Sequence, residues 1–209
     1  MQIAIPLFER VTALDAIGPY EVLSRLPDAE VVFVAAEPGS KRTDTGALAL
    51  TADRHLSEVP RPDIVVVPGG RGTRDQPHDE LLAWIRQTHQ TSRWTTSVCT
   101  GALLLGAAGI LEGLCATTHW LFFDRLSEFG AEPTLERVVE QGNVITAAGV
   151  SSGIDMALRL VQLIAGDQVA QAVQLSIEYD PQPPLDAGSP AKAPQPIVEL
   201  VRQRGANAG

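Results

Sequence analysis

The stretch Arg93-Trp94-Thr95-Thr96-Ser97-Val98-Cys99-Thr100-Gly101-Ala102-Leu103-Leu104-Leu105 constrains this chain more than any other. Thr95 to Val98 favour a short strand, because β-branched side chains fit a pleated, half-buried surface. Gly101 and Ala102 then let an apolar helix, Thr100 to Ala108, begin close against the strand end. A cysteine at such a corner stands clear of the backbone with helix-terminal N–H groups directed at its sulfur. Those dipoles lower a thiol pKa and favour the thiolate. The geometry is that of a nucleophile elbow, with sulfur in place of the usual serine oxygen. Cys99 equally fits a small buried side chain at a strand–helix junction, since free cysteine is among the most buried residue types. Local sequence leaves both readings open.

The rest of the chain supplies what such a corner needs. Gln2 to Phe8, Ala29 to Ala36 and Asp63 to Gly70 read as largely buried strands, with Pro6 marking a bulge or the first strand's exit. Between them, Gly18-Pro19 signals a turn and a helix start, and Tyr20 to Leu26 continues as a helix. Asp15 then lies just ahead of that helix, where a carboxylate caps N–H groups. Pro38-Gly39-Ser40 reads as a turn, and Gly46 to Ala52 as short antiparallel strand. Helices follow at Asp79 to Thr88, Leu121 to Phe129 (closed by Gly130), Ile154 to Ala165 and Gln168 to Ile177. Leu135 to Glu140 and Asn143 to Ala147 flank Gln141-Gly142 as a hairpin.

Strands alternating with helices, with glycines at strand ends, predict an α/β fold. The expected form is a flavodoxin-like, open, mostly parallel sheet with helices on both faces, a three-layer sandwich with one small antiparallel hairpin. Ligands in such sheets sit at the carboxyl ends of strands near a topological switch. Asp15, Gly70 and Cys99 all follow strands, so all three converge there. A single domain spans 1–180. A proline-rich tail, 181–209, runs extended, carries one short helix at Ile197 to Arg204 and ends in a frayed glycine–alanine segment.

Charge narrows the partners. A formal net charge of −9 without any basic cluster argues against a nucleic-acid surface. The longest apolar run, around Ala102 to Leu111, is too short and glycine-rich to span a bilayer, so no membrane partner is expected. Cys99 and Cys115 are the two cysteines and lack metal-type spacing, which fits a reduced, cytoplasmic setting with no metal site. The N-terminus has no basic n-region and no visible secretory signal.

Five motifs in order carry a family resemblance: Asp15-x-x-Gly18-Pro19-x-Glu21-Val22-Leu23, Val66-Val67-Pro68-Gly69-Gly70, Ser97-Val98-Cys99-Thr100-Gly101-Ala102, Ala116-Thr117-Thr118-His119-Trp120, and Thr146 to Asp155. Together they resemble the DJ/PfpI superfamily, with its class I glutamine-amidotransferase-like fold, and within it the isonitrile hydratase branch. They equally resemble the amidase-like domain of some AraC-type regulators. The resemblance covers Gln2 to about Tyr179. It implies a lyase that adds water to an isonitrile, with Cys99 as nucleophile, Asp15 as acid/base and Thr100 as their polar neighbour. It also implies a homodimer and no cofactor. Gly70 and Thr100 N–H groups are the expected oxyanion donors.

Relatives that act as peptidases or deglycases often carry His after the cysteine, where this chain has Thr100. Two further residues keep two readings each. His119 is a base near Cys99 or a backbone-satisfied residue at a helix start. Glu21 approaches the thiol or lies solvated on its helix. The competing functions are a ligand- or redox-sensing domain and a glyoxalase or deglycase acting on reactive carbonyls.

Overall fold

The computed structural model describes residues 1–75 and 77–206. Two compact units are present, Met1–Ile177 and Glu178–Gly209. In chain order the first contains β1 (Gln2–Pro6), α1 (Ala13–Leu23), β2 (Glu30–Ala35), β3 (Gly39–Arg42), β4 (Ala49–Ala52) and β5 (Arg54–His55). It continues with β6 (Ile64–Val67), α2 (Gly72–Asp75), α3 (Asp79–His89), β7 (Trp94–Val98), α4 (Gly101–Ala107) and β8 (Cys115–Ala116). Then come β9 (Glu132–Pro133), β10 (Val138–Gln141), β11 (Val144–Ala147), α5 (Ser152–Ala165) and α6 (Asp167–Ser176). The second unit carries α7 (Gln195–Ala206), longer at both ends than the tail helix expected from sequence. The last part of the expected glycine–alanine end, residues 207–209, lies outside the described residues.

Seven strands form one sheet in the order β10-β11-β7-β6-β1-β2-β5, parallel except for β10 against β11. The central strand β6 is buried on both faces, as its unbroken Ile-Val-Val-Val run requires. Alternate side chains go to opposite layers. Val65 and Val67 join Trp84, Ile85 and Leu105 from α3 and α4 on one face. Ile64 and Val66 join Val22, Leu23, Met156 and Leu160 from α1 and α5 on the other. The result is the expected three-layer α/β sandwich.

Chain direction along the sheet reverses between β1, which leads outward to β2, and β6, which leads to β7. The carboxyl ends of these strands therefore open a crevice at the switch point.

Three local expectations change. Helix α1 begins at Ala13, not after Gly18-Pro19, and Pro19 lies inside it. Pro19 has no N–H for the Asp15 carbonyl, a loss the helix tolerates because it is packed on α5. An added Cβ at Gly18 would meet Ile154 Cγ1 at 3.1 Å, and one at Gly153 would meet Pro19 Cδ at 3.3 Å. That close approach of two helices overrides the local breaker signal. Gly39 and Ser40 belong to a separate antiparallel pair with Ala52 and Thr51 rather than to a turn. The expected helix after His119 is a 3₁₀ stretch, Trp120–Phe129, broken by non-helical angles at Phe122 and closed by left-handed Gly130.

Gly101 opens α4 against β6, and an added Cβ there would lie 2.1 Å from the Val67 carbonyl oxygen. Alanine normally stabilises a helix position by about 1 kcal/mol over glycine. Here the backbone clash reverses the sign. Gly101→Ala should lower unfolding free energy by about 2 kcal/mol, measured by urea denaturation. An unchanged or raised midpoint would mean that α4 can move off the sheet.

Candidate active site

Three segments bring the chemistry together at the switch-point crevice. The first turn of α1, entered from β1, presents Asp15, the loop after β6 presents Gly69 and Gly70, and the corner after β7 presents Cys99 and Thr100. Cys99 has φ +56, the left-handed conformation expected of a nucleophile at a strand-to-helix elbow. Its N–H is held by the Ala147 and Ala148 carbonyls at 3.1 and 2.9 Å, and its carbonyl accepts from the Thr118 hydroxyl at 2.7 Å. The corner is thus anchored on both sides.

Asp15 is fully buried. Its Oδ2 accepts the Gly69 N–H at 3.0 Å, while Oδ1 is buried with no oxygen or nitrogen partner. A side chain at position 69 is impossible: an added Cβ would lie 2.5 Å from Thr100 N, 2.7 Å from Thr100 Oγ1 and 2.9 Å from Asp15 Oδ2. Glycine is what lets the carboxyl and the elbow approach from either side of this peptide. The Thr100 hydroxyl accepts the Gly70 N–H at 2.9 Å and donates to the Gly70 carbonyl at 3.2 Å.

Electrostatics follow from burial. Desolvation pushes the Asp15 carboxyl up to about 7, opposed by the Gly69 N–H and by hydrogen bonding from Cys99, and reinforced by the Asp44 charge. Burial also raises the Cys99 thiol far above its ordinary range, and the Asp15 charge beside it adds to the effect. The N–H groups of Val150 and Thr100 act the other way, donating toward the sulfur. Burial and the Asp15 charge thus favour the neutral thiol, against the pull toward thiolate that helix-terminal dipoles exert. Helix α4 is only seven residues long, and its pull is smaller than the cost of a charge in this interior.

The other candidates separate. The Gly70 N–H, expected as an oxyanion donor, is already engaged by Thr100 Oγ1. The N–H that accompanies Thr100 at the sulfur is that of Val150. Sequence reasoning missed it because any residue type supplies an N–H, and the small-residue run Ala148 to Gly153 was the one available signal. Glu21 does not turn toward the thiol. Its half-exposed carboxylate pairs with Arg25 at 2.9 Å, four residues on and just past the end of α1.

His119 packs its ring edge on Gly149, where an added Cβ would lie 2.7 Å from Cδ2 and 3.4 Å from Nε2. Its Nδ1 accepts the Leu121 N–H at 3.3 Å, and burial lowers its pKa, so the ring is neutral with the proton on Nε2. Cys115 lies apart, with Sγ 3.6 Å from Glu132 Oε2. Among the described residues no three His, Cys, Asp or Glu side chains are grouped to hold a metal ion, and no helix is long and apolar enough to cross a membrane.

Comparison with known proteins places this geometry in context. Residues 1–163 match the DJ-1/PfpI family. The chain is 45% identical over 207 residues to an isonitrile hydratase of Pseudomonas putida, covering 99% of this chain and 90% of that one. It is 27% identical over 180 residues to the HTH-type transcriptional regulator CdhR of Pseudomonas aeruginosa, covering 84% of this chain and 52% of the regulator. Among solved structures, a ThiJ/PfpI family protein from Pseudomonas syringae superposes with a TM-score of 0.93 at 36% identity, covering 99% of this chain and 86% of that one.

The raised Asp15 pKa has a signed consequence for stability. The carboxyl titrates near 4 in the unfolded chain and near 7 in the folded one. The folded state therefore loses stability relative to the unfolded state as pH rises from about 4 through 7, by on the order of 4 kcal/mol. Asp15→Asn carries no such charge. Its stability advantage over the parent should be small at pH 4, grow through pH 7 and level off above it, read from urea midpoints across that range. A pH-independent difference would mean that Asp15 titrates normally.

Proposed function

The chain belongs to the DJ-1/PfpI family, and within it we propose that it is an isonitrile hydratase, converting R–N≡C and water to the N-substituted formamide R–NH–CHO. The observation that carries this reading is the buried pair of Cys99 and Asp15, with one carboxyl oxygen held by the Gly69 N–H and the other lacking an oxygen or nitrogen partner. An isonitrile's terminal carbon must gain both a nucleophile and a proton. A thiol facing a carboxylate can supply both.

In the proposed first step Cys99 Sγ bonds to the terminal carbon. Asp15 takes the thiol proton and delivers it to the same carbon, leaving the thioimidate R–N=CH–S–Cys99. In the second step Asp15 removes a proton from water as its oxygen adds to that carbon. The nitrogen is protonated, the C–S bond breaks, and the sulfur regains a proton as the formamide leaves. The Val150 and Thr100 N–H groups suit charge developing on sulfur. The Thr100 hydroxyl holds the Gly70 peptide beside Asp15 and orders the proton-transfer side of the site. Burial supports the scheme as well, since water-poor surroundings keep the carboxyl pKa close to working pH.

We further propose that the enzyme works in the cytoplasm as a homodimer, without a cofactor. The absence of a histidine directly after Cys99 weighs against the deglycase reading. The match to regulators covers about half of their length, and so leaves the sensor reading to the assay.

Purified protein should form the N-substituted formamide from cyclohexyl isocyanide, detected by mass spectrometry. Cys99→Ala should abolish turnover, and Asp15→Asn should lower kcat by about 10²–10⁴. Turnover retained in Cys99→Ala would remove the covalent step. No product from several isonitriles, together with Cys99-dependent lactate from methylglyoxal, would favour carbonyl chemistry instead.

A further inference from the structure

We propose that Arg137 is a positioning residue, holding the segment from Ala148 to Asp155 so that the Val150 N–H stays aimed at the Cys99 sulfur. The inference rests on Cys99 being the reacting group. Val150 is a β-branched residue at φ +28, a conformation that such side chains rarely adopt. A residue held there persists only when its surroundings over-determine it. The segment is bonded to Cys99 itself, whose N–H donates to the Ala147 and Ala148 carbonyls at 3.1 and 2.9 Å, and the Val150 N–H is one of two backbone donors that favour the thiolate. What over-determines Val150 is visible on either side of it.

Arg137 contacts the segment at three places. Its carbonyl accepts the Ala148 N–H at 3.0 Å, extending the β10–β11 ladder by one rung beyond the Val138–Ala147 pair. Its guanidinium donates to Ser151 Oγ at 3.2 Å and forms an ion pair with Asp155 in the first turn of α5. One residue therefore ties together positions before and after Val150, its backbone holding Ala148 and its side chain holding Ser151 and Asp155, from just ahead of β10. On the inner side, Gly149 lies under the His119 ring, so the segment is pressed from within and held from without.

A half-exposed ion pair contributes little to global stability, so loss of the guanidinium should leave the fold intact. Its effect should be on aim. Relaxation of the strained Val150 would withdraw one donor from the sulfur, at a distance from the chemistry where small displacements carry large rate penalties. Among the groups acting on Cys99, the charged one is Asp15, and the Val150 and Thr100 N–H groups are the backbone donors.

The test uses the full chain with Arg137→Ala, Arg137→Lys and Asp155→Asn, each verified by circular dichroism and thermal unfolding. Two readouts are taken: steady-state hydration of cyclohexyl isocyanide, and the second-order rate of Cys99 alkylation by iodoacetamide from pH 6 to 9. In Arg137→Ala, kcat and the alkylation rate should fall together by about tenfold, with KM within about twofold and the alkylation profile displaced to higher pH. Arg137→Lys should recover part of the loss by reaching one of the two side-chain acceptors. Asp155→Asn, which keeps the Ser151 contact, should show a smaller loss in the same direction.

An alkylation rate that is unchanged in folded Arg137→Ala, or faster, would overturn the proposal. The faster result would mean that Arg137 shields the thiol. Failure of the hydratase reading is separate: it would appear as no formamide from the parent protein, or as turnover surviving in Cys99→Ala. The alkylation readout still judges the clamp in either case. If Arg137→Ala does not fold, the same alkylation criterion applies to Arg137→Lys and Asp155→Asn.

Discussion

A fully buried carboxyl with one oxygen bonded to a single N–H dictates the arrangement of the rest of the site. Burying an ionised carboxylate is expensive, and the usual remedy is a cation or several donors. Asp15 has neither. It has the Gly69 N–H, a neutral thiol and the repulsive field of Asp44. The carboxyl responds by moving its pKa to about 7, and in doing so it acquires the ability to take and return a proton near neutral pH. The same burial raises the Cys99 thiol, and the Asp15 charge beside it adds to the effect.

That pair exists because backbone approaches are unusually close around it. Gly69 lies between the carboxyl and the elbow with no room for a Cβ. Gly101 lets α4 start against the Val67 carbonyl, and Gly153 lets α5 pack beside Val98 and Pro19. Each glycine removes a side chain where two elements must meet, and together they bring three segments at the sheet's carboxyl edge onto one sulfur. Left-handed backbone at Cys99 and Val150 then turns the thiol outward from the strand and an N–H toward it. Strain of this kind, over-determined by surrounding bonds, is a common feature of sites whose geometry must be preset.

The fold was legible in the chain because its signals are redundant. The Ile64–Val67 run, the hairpin around Gly142 and the amphipathic α3 and α5 each state their own structure, and a mostly parallel sheet with two covered faces is the arrangement that accommodates them together. Cys99, Asp15 and Thr100 could be singled out because their chemistry depends on residue type and their positions follow strands. Boundaries set by packing were less legible. Gly18-Pro19 reads locally as a helix start, yet the helix begins at Ala13, because contact with α5 outweighs one missing hydrogen bond.

Sequence by itself determined the layer architecture and the strand-to-helix corner at Cys99, with Asp15 brought to the same edge of the sheet. These follow from side-chain period, turn chemistry and residue type, all of which are local. Tertiary structure alone decided that burial raises both the Cys99 thiol and the Asp15 carboxyl, that Glu21 pairs with Arg25 and that the Val150 N–H acts on the sulfur. Ionisation depends on how much water is excluded and on which dipoles face the group. A backbone donor carries no residue-type signature. Both are set by segments distant in sequence, and they become definite only when those segments are packed together.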